Sequence, residues 1–162
     1  MELIYIGKVV NTHGIKGELK LLSDFELKSR VFKNGNKIYI DSNEYIVNSY
    51  RFHKIFDMIT LEGFNNINEI LFLKGKKVYF NREDLNLSEN EYLIQDLIGM
   101  EVYFNGKLVG NIKDISRDKN SLIKLSTNKL IPYNDNFIES VSLSDKKVIL
   151  KNCEGLLWRY QF

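Results

Sequence analysis

The segment Leu3-Ile4-Tyr5-Ile6-Gly7-Lys8-Val9-Val10-Asn11-Thr12-His13-Gly14-Ile15-Lys16-Gly17-Glu18-Leu19-Lys20-Leu21-Leu22-Ser23 decides how this chain folds. Leu3 to Val10 and Leu19 to Ser23 are rich in Ile, Leu and Val and too short for helices, so they read as two strands. The eight residues from Asn11 to Glu18 then form their connection. Gly14 and Gly17 permit a tight turn with positive φ, which exposes backbone N–H groups beside His13, Lys16 and Glu18. Such a loop suits a phosphate or a partner, with His13, Gly14, Lys16, Gly17 and Glu18 as candidate contacts. A plain solvated turn is the alternative.

Working outward, Lys37 to Ile40, Glu44 to Phe52 and Phe56 to Leu61 read as further strands, with Asp41-Ser42-Asn43 as a hairpin connection. Ile67, Ile70, Leu71 and Leu73 recur at helical spacing after an Asn65 or Asn66 cap, and Gly75 ends that short helix. Lys76 to Phe80 returns as a strand, and a small closed barrel hides the strand edges. Asn81 to Asn90 is polar without an apolar face. It divides the chain into a first domain at 1–81, a linker at 82–91 and a second domain at 92–162. In the latter, Met100 to Phe104 and Lys107 to Ile115 flank Asn105-Gly106, a type I′ hairpin signal. Leu122 to Leu125, Leu130 to Pro132 and Val148 to Leu150 add short strands, with Pro132 at a strand end or edge. The expected fold class is all-β with minor helix, two small β-barrels in tandem.

Composition narrows the function. The chain has 162 residues, 44% of them hydrophobic, enough for real cores. A single cysteine, Cys153, cannot form an internal disulfide, and no His or Cys cluster has zinc-site spacing. Neither a signal segment nor a long apolar run is present, so a cytoplasmic protein with no membrane association is expected. Residues 1–80 hold 12 Lys and Arg against 9 Asp and Glu, whereas residues 81–162 hold 11 against 12. The first half thus leans towards phosphate and the second towards a basic protein.

Catalytic motifs are missing: there is no Gly-x-Ser-x-Gly, no P-loop, and no Gly-x-Gly-x-x-Gly after a strand. His13 with Glu18 as its carboxylate partner is the one acid–base pair the sequence offers. No enzyme, cofactor, metal site or small-molecule substrate is expected. Arg51-Phe52-His53-Lys54 mixes cationic and aromatic groups suited to RNA, with Arg51, His53 and Lys54 as candidate contacts. The alternative places Phe52 in the core with its neighbours in water. Lys74-Gly75-Lys76-Lys77 is a second basic cluster, solvated if it has no partner. Glu91, Tyr92, Leu93, Asp96 and Leu97 open the second domain and are candidates for a protein partner. Tyr92 and Leu93 could equally seal an interface between the barrels.

His13-Gly14-Ile15-Lys16-Gly17-Glu18, His53-Lys54, Leu61-Glu62-Gly63, Leu73-Lys74-Gly75, Glu91-Tyr92, Asp96-Leu97-Ile98-Gly99, Ile131-Pro132 and Glu154-Gly155-Leu156-Leu157 stand in the order of one family. From about Ile6 to Leu157 the chain resembles the ribosome maturation factor RimM family. The resemblance implies a RimM-type N-terminal barrel followed by a PRC barrel. It further implies a non-catalytic assembly factor that binds the immature 30S subunit head and small-subunit ribosomal protein S-nineteen and supports 16S rRNA processing. A monomer is expected. The chain departs from the family pattern where Leu93 and Ile94 follow Glu91-Tyr92, at Val141-Ser142, and at Asn68-Glu69. Two rival functions are an RNA-processing hydrolase using His13 and Glu18, and a general PRC-barrel scaffold.

Overall fold

The computed structural model describes residues 1–116 and 120–157. The chain divides into two compact units, Met1–Asn90 and Glu91–Phe162. In the first, six strands alternate apolar residues inward: β1 (Leu3–His13), β2 (Glu18–Leu22), β3 (Lys37–Ile40), β4 (Asn43–His53), β5 (Phe56–Leu61) and β6 (Lys77–Asn81). They close into a barrel in the order β1-β2-β5-β4-β3-β6. Each neighbouring pair is antiparallel. Ile4, Ile6, Val9, Leu19, Leu21, Ile38, Ile40, Ile59, Leu61, Val78 and Phe80 are all buried and fill the interior. Each contributes about 1.5–3 kcal/mol by leaving water. Irregularities at Tyr5/Gly7, Val9/Asn11 and Val47/Ser49 add the bend that closure needs.

Three features depart from the sequence expectation. β1 and β2 run further than their apolar residues indicate, because Asn11, Thr12 and His13 pair with Lys20, Leu19 and Glu18. The true connection is only Gly14 to Gly17; polar residues on an outward strand face resemble a loop in sequence. A helical turn, α1 (Lys28–Val31), was not foreseen between β2 and β3. The polar stretch after β6 opens with a 3₁₀ turn at Arg82–Leu85, where the Asn81 side chain accepts from the Glu83 N–H and Leu85 is buried. The expected helix near Ile67 is α2 (Ile67–Ile70), capped by Asn66 and continued by a 3₁₀ turn at Leu71–Leu73.

The second unit holds α3 (Ile94–Leu97), β7 (Glu101–Phe104), β8 (Lys107–Ile115), β9 (Leu122–Leu125), β10 (Leu130–Pro132), β11 (Ile138–Ser142), β12 (Lys147–Leu150) and α4 (Glu154–Leu157). Its strand order is β10-β9-β8-β7-β12-β11, with β12 and β7 parallel. Asn105 and Gly106 both have positive φ, as a type I′ turn demands. Pro132 ends the edge strand β10, where its missing N–H costs no ladder bond. β11 carries no alternating signal in the sequence because Ile138 and Val141 stand three residues apart, with a register irregularity between Ile138 and Ser140. The fold class is all-β with minor helix.

Candidate functional site

The site is built on one face of the first barrel. Gly14 to Gly17 make a tight turn in which the Gly17 N–H donates to the Gly14 carbonyl at 3.4 Å. That N–H is therefore used within the turn and is not offered to a ligand. The turn is braced from below, since the Ile67 N–H donates to the Ile15 carbonyl at 2.9 Å. Gly17 has φ +88°, and a Cβ there would lie 3.1 Å from the Asn66 carbonyl oxygen. Only glycine lets the turn press this closely on the start of α2. Ile15, 82% exposed, and Lys16 form the tip.

Strand register then joins two motifs that lie far apart in sequence. His13 stands opposite Glu18 on β1 and β2, while Arg51 and His53 stand opposite Met58 and Phe56 on β4 and β5. Because β5 lies between β2 and β4, Arg51 reaches across it to Glu18. Its Nε and Nη2 donate to the two carboxylate oxygens at 2.8 and 2.7 Å. Met58, outward-facing by register, is nevertheless fully buried between Lys20 and Arg51. The hydrogen bond from Arg51 holds the Glu18 carboxyl below its usual range against partial burial; the charges of Arg51, His13 and His53 act in the same direction. The pair raises the Arg51 pKa in turn.

A relay would need Glu18 to hold the His13 imidazole. Glu18 instead accepts from Arg51 on both carboxylate oxygens, and among the described residues no hydrogen bond joins it to His13. What remains is a basic face of Lys20, Lys54 and the Glu18-paired Arg51, flanked by His13 and His53. Lys20 sits 4.2 Å from the centre of the Phe56 ring, and Lys54 occupies a positive-φ turn beside exposed Ile55.

On the other face of the same β4–β5 ribbon, Phe52 is 59% exposed and does not enter the core. Lys28 lies 5.3 Å from its ring and pairs with Asp57 at 2.9 Å. Asp57 is fully buried, and its other oxygen accepts the Tyr50 hydroxyl at 2.6 Å. Burial together with that hydrogen bond pushes the Tyr50 phenol well above its usual pKa. Nothing in the sequence marked Asp57, because a lone acid in a strand reads as an outward residue.

In the second unit the candidate partner residues separate. Leu93 and Leu97 have no exposed surface, Leu97 as part of the unit's core, so neither side chain is available to a partner. Tyr92 is partly buried and packs against that core. Asp96 accepts the Leu93 N–H at 3.3 Å and so caps α3. Glu91 is half-buried. Sequence reasoning missed an exposed row, Leu108–Tyr103–Ile149, in which β8, β7 and β12 bring three apolar side chains into register. Leu108 is 53% exposed and Ile149 38%, with Lys147 lying 5.2 Å from the Tyr103 ring centre. Alternation in Glu101-Val102-Tyr103-Phe104 and Lys147-Val148-Ile149-Leu150 was the available signal. Among the described residues no group of His, Cys, Asp or Glu could hold a metal ion, and no helix is long and apolar enough to cross a membrane.

Residues 4–85 match the RimM N-terminal domain, and residues 89–157 match the PRC-barrel domain. The chain belongs to the RimM family. A ribosome maturation factor RimM from Staphylococcus aureus (strain NCTC 8325 / PS 47) is 40% identical over 164 residues, 95% of this chain and 98% of the relative. One from Exiguobacterium sp. is 33% identical over 168 residues, 97% and 98% of the two chains. A RimM crystal structure from Pseudomonas aeruginosa is 20% identical, with a TM-score of 0.47, and covers 93% of this chain and 97% of its own. In RimM terms, the basic face lies in the N-terminal domain and the Leu108–Tyr103–Ile149 row in the PRC barrel.

Proposed function

We propose that this RimM protein is a non-catalytic ribosome assembly factor of the cytoplasm. It binds the immature 30S subunit at its head and supports 16S rRNA processing. The first barrel meets the RNA backbone through Lys16, Arg51, His53 and Lys54, with His13, Gly14, Gly17 and Glu18 shaping and bracing that face. The second unit meets ribosomal protein S-nineteen, with Glu91 and Asp96 steering a basic partner and Tyr92 at the margin of the contact. The apolar row Leu108–Tyr103–Ile149 supplies the exposed surface that Leu93 and Leu97 do not. The protein acts as a monomer, by occupancy and without a cofactor.

The observation that carries this reading is the near full-length similarity to relatives named ribosome maturation factors. The Glu18–Arg51 bridge supports it, since it engages Glu18 as a partner of Arg51 and not of His13. The test is co-sedimentation of the purified protein with immature small subunits. Binding that weakens with salt and with Lys54→Glu is expected, because phosphate contacts release counterions. Migration away from the particles, with no ribosomal protein recovered, would leave the general scaffold in its place. Cleavage of precursor rRNA that disappears in His13→Ala would establish the hydrolase instead.

A further inference from the structure

The opposite half of the first barrel carries a second surface that the proposed RNA face does not use. Tyr5 stands opposite Tyr79, and Tyr79 stands opposite Tyr39, so β1, β6 and β3 place three tyrosines in one outward row. Tyr5 and Tyr79 meet edge to face with ring centres 5.9 Å apart. Tyr5 is 43% exposed, and Tyr39 and Tyr79 are partly so. Next to this row lies a cleft of about 520 Å³, whose walls include Tyr39, Tyr79, Asp41, Ser42, Lys76 and Lys77.

Two lysines neighbour the row along β1 and β6. Lys8 stands directly opposite Lys77, both are exposed, and among the described residues neither makes an ion pair. Like charges facing each other across two strands repel, and an anion between them removes that repulsion. Lys76 adds a third cation, partly balanced by Asp41 at 3.7 Å. Acids also stand beside the row: the Tyr39 hydroxyl donates to Glu44 at 3.3 Å, and the charges of Asp24 and Asp84 act on Tyr5 and Tyr39. Aromatic rings in a row on a sheet, with Lys8 and Lys77, unpaired among the described residues, at one end, match a single strand whose bases stack while its phosphates meet those two cations.

We propose that the Tyr5–Tyr79–Tyr39 row and the Lys8–Lys77 pair form a binding site for unpaired RNA. The site lies across the barrel from the β2-β5-β4 face. It rests on the proposed ribosomal role only in the choice of RNA as the nucleic acid. A basic or apolar protein segment is a poorer fit, since the lysines would repel the first and be buried unpaired by the second.

The test uses the full chain and a fluorescein-labelled single-stranded RNA of about 12 nucleotides, within the range such surfaces span. Fluorescence anisotropy should show salt-sensitive binding, weakened about tenfold by Tyr5→Ser through lost base stacking. Lys77→Glu should also weaken binding about tenfold by replacing a phosphate contact with repulsion. It should leave the melting temperature unchanged or raised, because the new acid faces Lys8. Wild-type affinity in both variants, or equal affinity for the same sequence as a duplex, overturns the proposal. Tyr5→Phe should retain binding, which separates stacking from loss of fold. Co-sedimentation with immature subunits distinguishes this proposal from the functional one. If co-sedimentation fails while Tyr5 and Lys77 still govern oligonucleotide binding, the subunit role falls and this site stands; the reverse pattern removes this site alone.

Discussion

Two glycines three residues apart have different work to do. Gly17 combines φ +88° with a Cβ position 3.1 Å from the Asn66 carbonyl oxygen, whereas Gly14, at φ +75°, has nothing within 4 Å. Gly14→Ala is therefore expected to cost about 1–2 kcal/mol from the left-handed backbone alone. Gly17→Ala should cost more, because the turn must also lift from α2. Urea unfolding of the two variants measures the difference, and equal costs would show that the turn does not press on Asn66. At Glu18 the hydrogen bond from Arg51 depresses the carboxyl pKa in the folded state. The pair's contribution is thus complete above the unfolded carboxylate value and is lost as pH falls through the lower folded one. Arg51→Gln should raise the Glu18 pKa in a carboxyl NMR titration and flatten that acid limb. Cys153 is fully buried, with burial and then the nearby Glu154 pushing its thiol up to about 11. It should resist a disulfide reagent at pH 8 until the protein is denatured.

Among the elements, the β4–β5 ribbon depends most on one buried charge. Asp57 is held by Lys28 from α1 and by Tyr50 from β4, and its Oδ2 has no hydrogen bond beyond the approach of the Lys28 ammonium. Lys28→Met leaves that carboxylate buried without its countercharge and should destabilise the protein by about 3 kcal/mol. A thermal melt checks this, and a loss within experimental error would show that water reaches Asp57. The same ribbon shows how far alternation can be read. In β5, Phe56 to Leu61 announce a strand, and Ile59 and Leu61 are found inside. The sequence could not show that outward Met58 is covered by its neighbours or that Phe52 is left largely bare. Both depend on which strands flank β5 and on β4 extending beyond β3, neither of which is a local property. Conversely, His13 and Asn11 look like loop residues yet belong to β1, because the ladder accepts polar side chains on its outer face.

At the scale of the whole molecule, the two compact units predict separable folding. Residues 1–90 expressed alone should give a dispersed amide spectrum and a cooperative urea transition, since their barrel closes upon itself. A collapsed spectrum would mean that the second unit is needed for the first to fold. Alternating apolar residues, the Asn105-Gly106 turn and the polar break after Asn81 made the all-β class and most strands legible, because those signals act over a few residues. The ordered motifs from His13 to Leu157 likewise carried the family. Tertiary structure alone decided the rest. It placed Arg51 across β5 onto Glu18, aligned Tyr5, Tyr79 and Tyr39, and buried Leu93 and Leu97. The physical reason is strand register: alternation tells which side chains share a face of one strand, while the pairing of distant strands sets which residues meet across that face and which are covered.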